Sequence, residues 1–380
     1  MKSDFNSVQV RAAPARGEPT IVAMSPRPSP ATNSTLASIA AEVGVSRTTV
    51  SNAYNRPDQL SDELRARILA AAAKRGYAGP NPTARSLRTR RAGAVGVVLT
   101  EHLHYAFEDR ASVDFLAGLA RQTDFSLTLI PAGPGENNPA LITSAIVDGF
   151  VVYSVPAGDP HLAEVRVRGL PLVVCDQPAG KGVAYVGIDD AAAIAPAAQA
   201  LVDAGHTRIG ILAKRLFSFP RNGHVRRDEL AQADLHVQRD RVSGALEVFD
   251  AAGITDVPIV ARHFNDRDSA ADGARELIAT HPDLTAVLCT TDSMALGVFD
   301  YCGARIPHEL SVTGFDGIES ALNLGLTTVD QPNVAKGEAA GSMLRSLIGA
   351  PTPRPGNTPR QILPTRFIPG RTVAAPRRGD

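Results

Sequence analysis

The amino-acid sequence predicts a small all-α helix–turn–helix head followed by an α/β body of two lobes, each a parallel sheet flanked by helices. Two observations carry this. Residues 35–77 read as helices throughout, with glycine and proline held to the boundaries. Beyond residue 93 short apolar runs alternate with helical stretches, the pattern of buried parallel strands covered on both faces.

Length and composition agree. A chain of 380 residues favours two or three domains, and a hydrophobic fraction of 44% is enough to bury sizeable cores. No run of about 18 apolar residues occurs, so no membrane span is expected. No apolar segment of signal-peptide length follows Lys2 and Arg11, which predicts a cytoplasmic protein. Cys175, Cys289 and Cys302 lie far apart in apolar surroundings and read as reduced, buried thiols rather than metal ligands. The zero net charge hides an asymmetry: residues 35–92 carry ten basic side chains against four acidic ones. A compact basic head on an acidic body is the footprint of a nucleic-acid module joined to something else.

Residues 1–33 are rich in Pro, Ala, Ser and Arg without periodicity and read as a disordered tail. Met24, which leads directly into the first helix, is the expected translation start; the intact mass of natively expressed protein checks it. The head proper spans 34–78. Its first helix covers about 35–42 and buries Leu36, Ile39 and Ala40; Gly44 makes the turn. The second runs about 46–53 with Ser46 as N-cap and Val50 inward, and the third follows the Ser61 cap to about Arg75. In the body, strands are expected at Ala94–Thr100, Phe125–Ile130, Gly149–Val155, Leu170–Cys175, Arg208–Leu212, Pro258–Arg262, Ala286–Thr290 and Val312–Gly314. Helices are expected at about 111–122, 138–147, 189–204, 239–252, 268–281, 292–302 and 336–349. There are more strands than one such sheet holds, hence two lobes with a ligand cleft at the strand carboxyl ends.

The second helix is short, with a polar outer face sized for the major groove, where side chains distinguish base pairs. Arg47 suits guanine, Asn52 suits adenine and Thr48 is a third reader, while Ser46, Thr49 and Ser51 suit phosphate. A three-helix bundle without a partner is the plainer alternative.

Thr35-Leu36, Ala40, Gly44-Val45-Ser46, Thr49-Val50-Ser51, Asn55, Gly76-Tyr77 and Asn81-Pro82-Thr83-Ala84-Arg85-Ser86-Leu87 together resemble the signature of the lactose-repressor family of bacterial transcription regulators. The resemblance continues through Gly205-His206, Arg241-Val242-Ser243-Gly244, Thr291-Asp292-Ser293-Met294, Gly314-Phe315-Asp316 and Gln331-Pro332, and so covers residues 35–374. It implies a periplasmic-binding-protein-like body at 93–374, a hinge at 79–92 and a tail at 375–380. It implies a hinge that becomes helical on operator DNA, with Leu87 wedged into the minor groove beside Ala84 and Arg88. Such a wedge unstacks bases at a cost of a few kcal/mol, offset by contacts to bent DNA. It further implies effector contacts from Arg241 and Asp316, then Thr291, Asp176 and Phe107. Arg and Asp across a cleft, with an aromatic for a ring face, suit a hydroxyl-rich ligand such as a sugar. Each has a plainer reading: Asp316 as a helix cap, Arg241 paired with a surface acid, Asp292 as an N-cap.

Two segments depart from the family pattern. Glu101, His102, His104 and Tyr105 either set specificity or form a surface loop; two histidines one residue apart with no third ligand predict no metal, and no cofactor is expected. Residues 215–238, rich in Arg and His, read as a mobile flap.

The expected partners are double-stranded operator DNA, a small-molecule effector and a second copy of the chain, since the end of the chain from Pro351 to Asp380 shows no heptad helix for tetramers. An enzyme would need a phosphate-cradling glycine loop or a nucleophile motif, and neither appears. An exported sugar-binding protein would lack residues 35–92, and a passive architectural DNA binder would not need a cleft. Ligand and operator affinities are then coupled, with either inducer or corepressor fitting.

Overall fold

The computed structural model describes residues 35–79, 86, 89, 91–122, 124–133, 135, 138–350 and 358–377. The tail 1–33 with Met24, and the hinge residues Ala84, Leu87 and Arg88, lie outside the described residues. The chain divides into two units, residues 1–89 and 90–380.

In the first unit, α1 (Leu36–Val43) starts from a capping box in which Thr35 and Ser38 satisfy each other's backbone N–H. It stops at Gly44, whose φ of 74° puts it in the left-handed region that an L side chain resists. The second helix, α2 (Arg47–Asn55), is capped by Ser46, and α3 (Asp62–Lys74) by Ser61, with Asp62 and Glu63 in the favourable first turn. The bundle closes on Ile39, Ala40, Val50, Ala53, Ile68 and Ala72.

The second unit has two three-layer lobes. The first holds a fully parallel sheet in the order β12-β5-β4-β3-β1-β2, from β1 (Ala94–Leu99), β2 (Ser126–Pro131), β3 (Phe150–Tyr153), β4 (Leu172–Cys175), β5 (Ala184–Gly187) and β12 (Arg360–Ile362). One face packs on α5 (Arg110–Gln122) and α13 (Asn333–Leu347) through Phe115, Leu119, Ala340 and Leu344. These helices approach so closely that a Cβ on Gly118 would collide with the Val334 backbone and one on Gly337 with that of Phe115. The other face is covered by α6 (Ala140–Ser144) and α7 (Pro160–Arg168).

The second lobe has the order β10-β9-β6-β8-β7, from β6 (Ile209–Lys214), β7 (Gly223–His224), β8 (Ile259–Arg262), β9 (Ala286–Cys289) and β10 (Ser311–Thr313); only β7 runs antiparallel. Helices α8 (Asp190–Asp203) and α9 (His236–Ala251) cover one face. Helices α10 (Arg267–Thr280) and α11 (Asp292–Cys302) cover the other, and α12 (Glu319–Asn323) follows β10. The chain passes between lobes after β5, after β11 (Thr328–Asp330) and between β12 and β13 (Arg366–Ile368); β11 and β13 pair antiparallel.

All eight expected strands form. Residues 215–238, expected as a flap, carry β7, which pairs with β8, the internal ion pairs Arg221–Glu229 and Arg226–Asp228, and Arg227, which reaches Asp250 of α9. The segment after Glu101 forms α4 (Leu103–Glu108) rather than a loop.

Candidate functional site

On α2, Val50 and Ala53 enter the core, so residues 47, 48, 51, 52 and 55 share the opposite side by helical spacing. Arg47 and Thr48 are exposed, and Ser51 and Asn52 half-buried. Ser46 is engaged as the cap, accepting from the Thr49 backbone N–H at 3.0 Å and meeting its hydroxyl at 2.8 Å. Ser51 accepts from Asn55 Nδ2 at its hydroxyl (3.1 Å) and carbonyl (2.9 Å). Asn52 Nδ2 donates to Gln59 Oε1 at 3.1 Å, leaving its carbonyl oxygen for another partner. Asn55, on this face, and Gln59, in the turn that follows α2, thus engage its side chains and were not among the expected readers; Asn55 was visible as the i+4 neighbour of Ser51.

In the body, the carboxyl ends of the strands face a cleft lined by Tyr153, Asp176, Arg241, Thr291, Asp316 and Gln331 among others, enclosing a cavity of about 50 Å³. Among the described residues, the non-glycine residues at positive φ are Ser154 (58°), Asp176 (65°) and Asp316 (124°), and all three line this cavity. Left-handed backbone at non-glycine residues costs energy and persists where surroundings over-determine it, which happens characteristically at ligand sites.

A buried polar chain runs through the cleft. Lys336 of α13 donates to both Asp176 oxygens (2.9 Å each) and to Gln331 Oε1 (2.8 Å). Gln331 Nε2 donates to Asp316 Oδ1. Arg241 reaches Asp316 at 3.4 Å, Asp190 at 2.8 Å and the Thr290 carbonyl at 2.9 Å, with its guanidinium 3.8 Å from the centre of the Phe315 ring. Burial pushes the Asp316 carboxyl up to about 7, with Arg241 opposing, and the Asp190 carboxyl up to about 6. Burial works against the Lys336 ammonium, but the Asp176 carboxylate holds its pKa above the ordinary lysine value.

The lobes are also bound across the cleft. Glu101 pairs with Lys214 and Arg215, and Tyr105 Oη exchanges hydrogen bonds with the Asn265 carbonyl (2.7 Å) and side-chain amide (2.8 Å). Gln177 Oε1 accepts from the Val237 backbone N–H at 3.1 Å.

The structure thus brings Arg241, Asp316, Thr291 and Asp176 together. Phe107, 59% exposed, is not among the residues lining the cavity. Thr291, not Asp292, is the N-cap of α11: its hydroxyl accepts from Met294 N and also meets Asn265. Asp292 instead accepts from Thr328 Oγ1 and Ile318 N inside the lobe. Residues missed by sequence reasoning are Lys336, Gln331, Asp190, Lys214, Asn265 and Gln238. Lys336 had a signal, since it shares the stripe of Ala340 and Leu344, where a buried ammonium demands a carboxylate.

Residues 35–81 match the model of bacterial regulatory proteins of the lacI family, and residues 198–373 match the periplasmic binding protein-like domain. The HTH-type transcriptional regulator IpsA of Corynebacterium glutamicum is 55% identical over 352 residues, covering 90% of this chain and 97% of that protein. The crystal structure of a LacI-family transcriptional regulator from Corynebacterium glutamicum superimposes with a TM-score of 0.70 at 51% identity, covering 90% of this chain and all of that one, 100%. A complex of the transcriptional regulator CelR with cellobiose gives 0.63 at 26% identity, covering 90% and 100%. No helix among the described residues is long and apolar enough to cross a membrane. The chain belongs to the lacI family, DNA-binding transcriptional regulators rather than enzymes, with a helix–turn–helix head and a periplasmic-binding-protein-like body.

Proposed function

We propose that this regulator is a repressor whose operator affinity is set by an uncharged, hydroxyl-rich ligand of the sugar class, bound between the lobes. The observation that carries it is the cleft, where three left-handed non-glycine residues hold polar groups around one cavity. Its lining cations, Lys214 and Arg241, are already paired with carboxylates, so an anionic ligand finds no free charge among the described residues. Hydroxyls, by contrast, can donate to the remaining carboxylate oxygens and accept from amides without unpairing an ion. The cellobiose held by the CelR relative supports that class.

The effector contacts are Arg241, Asp316, Thr291 and Asp176, with Phe107, on α4 outside the cavity lining, as a further candidate. The mechanism is a cytoplasmic homodimer that sets two α2 helices in successive major grooves of a pseudo-palindrome. Arg47, Thr48 and Asn52 read bases; Ser46, Thr49 and Ser51 fix register on phosphate. Residues 79–92 form the hinge, with Leu87, Ala84 and Arg88 at the minor groove. A ligand that binds one lobe arrangement better shifts operator affinity by the same coupling free energy. The test is selection of genomic DNA by the purified protein, then footprinting with and without neutral sugars. A protected pseudo-palindrome whose occupancy a sugar changes supports the reading, and absence of any enriched sequence at moderate salt overturns it. Leu87→Ala should weaken operator binding and leave sugar binding intact.

A further inference from the structure

The first turn of α9 carries a polar group that the folded chain leaves without a partner. Gln238 is 8% exposed and lines the cleft, three residues before Arg241 and so on the same side of the helix. Its Oε1 is buried and has no hydrogen-bond partner. Buried amide oxygens are almost always satisfied, because desolvating an acceptor without replacing its water destabilises the fold. The turn that carries it is held across the cleft, the neighbouring Val237 N–H donating to Gln177 of the opposite lobe at 3.1 Å. Several polar groups around the cavity are engaged internally. Both Asp176 oxygens take Lys336, Asp316 Oδ1 takes Arg241 and Gln331, and the Thr291 hydroxyl serves its helix cap and Asn265. A buried, unmatched acceptor on a cavity-lining residue, beside neighbours that are engaged, is what a site looks like when its missing donor arrives with the ligand.

We infer that Gln238 is a specificity-determining residue of the cleft, its side-chain carbonyl accepting a hydrogen bond from a hydroxyl of the bound ligand. This rests on the proposed ligand class and deepens it. A ligand with a hydroxyl at that point satisfies the orphan acceptor, whereas its deoxy analogue leaves the acceptor buried and unmatched, so the site discriminates by hydroxyl position. A role in holding the fold predicts the opposite energetics, because a structural glutamine would lose a bond on substitution.

The test uses the full-length protein, with D-ribose, D-glucose, D-galactose and cellobiose as probes in calorimetry and thermal-shift assays. Gln238→Met keeps the length of the side chain and removes its polarity; Gln238→Leu is the second variant should the first fold poorly. The expected result is a ligand-free Tm equal to or above that of the wild type, with sugar affinity reduced about tenfold to a hundredfold. A fall in ligand-free Tm with affinity retained shows a structural glutamine and overturns the inference. Unchanged affinity overturns it too, while leaving the sugar-class reading standing. Failure of all four probes to bind the wild type sinks that reading, and this inference with it.

Discussion

Glu101 Oε1 lies 3.0 Å from Lys214 Nζ and 2.9 Å from Arg215 Nη2, one carboxylate of the first lobe gripping two cations of the second. Glu101 and Arg215 are buried, and Lys214 nearly so. Removing one member of a buried ion pair leaves the remainder desolvated and unmatched, at about 3–5 kcal/mol. Glu101→Gln should therefore open the cleft or destabilise the body on that scale. Small-angle scattering of the ligand-free protein checks it: the radius of gyration should rise, and an unchanged value with unchanged denaturant midpoint shows that the pair does not hold the lobes.

The same carboxyl gives a pH dependence. Burial alone would raise it, but Lys214 and Arg215 together hold it below its ordinary value of 4.5. A depressed acid stabilises the folded state above its unfolded pKa, and that contribution is lost as pH falls through the lower folded value. The stability difference between wild type and Glu101→Gln should be full above 4.5 and shrink on acidification, as read from urea melts.

Asp316 has the opposite sign. With its carboxyl raised from 3.8 to about 7 by burial, the folded protein holds a proton that the unfolded chain has released. Its contribution is fully present below 3.8 and is lost as pH rises through about 7. Asp316→Asn cannot titrate, so its stability relative to wild type should climb across that interval and level off above it. The substitution should also blunt the sugar response while leaving ligand-free operator affinity near normal.

How much of this was legible depends on how far each partner lies along the chain. The head was read nearly whole, because Ser46, Ser61 and Gly44 are local cap and turn signals beside a helical apolar pattern. Buried strands such as Phe150–Tyr153 declared themselves as continuous apolar runs. Helix α7 carried a readable start, an Asp159 cap before Pro160 at the first position, and was nonetheless missed. Strand β12 gave no signal at all: three exposed residues at a sheet edge show neither burial nor alternation. Arg241, Asp316, Thr291 and Asp176 were legible through family resemblance, but their partners were not. Asp190 reads as one more acid at a helix start, and Glu101 finds Lys214 more than a hundred residues away.

The Asp176–Lys336 pair separates ion pairing from packing. Lys336→Met fills the same space but leaves the Asp176 carboxylate buried without its cation, so destabilisation of about 3–5 kcal/mol is expected. Adding Asp176→Asn removes the orphaned charge and should recover most of that loss. A double-variant cycle by guanidinium denaturation measures the coupling; additive losses show that the two side chains act independently.

Arg47 stands at the start of α2, exposed, on the side of the helix away from the core, so its removal should leave the head folded. Its guanidinium is a rigid fork suited to the two acceptors of guanine, and such a contact contributes about 1–3 kcal/mol of discrimination against the wrong base. A cation held over phosphate would instead contribute equally on every sequence and weaken with salt. Arg47→Ala should thus lose about 1–3 kcal/mol on the selected operator, lose far less on an operator altered at one base pair, and keep nearly the same salt slope. Titrations of both DNAs at two salt concentrations give the two readouts together. A uniform loss with a shallower slope reassigns Arg47 to the backbone and leaves Thr48 and Asn52 as the base readers.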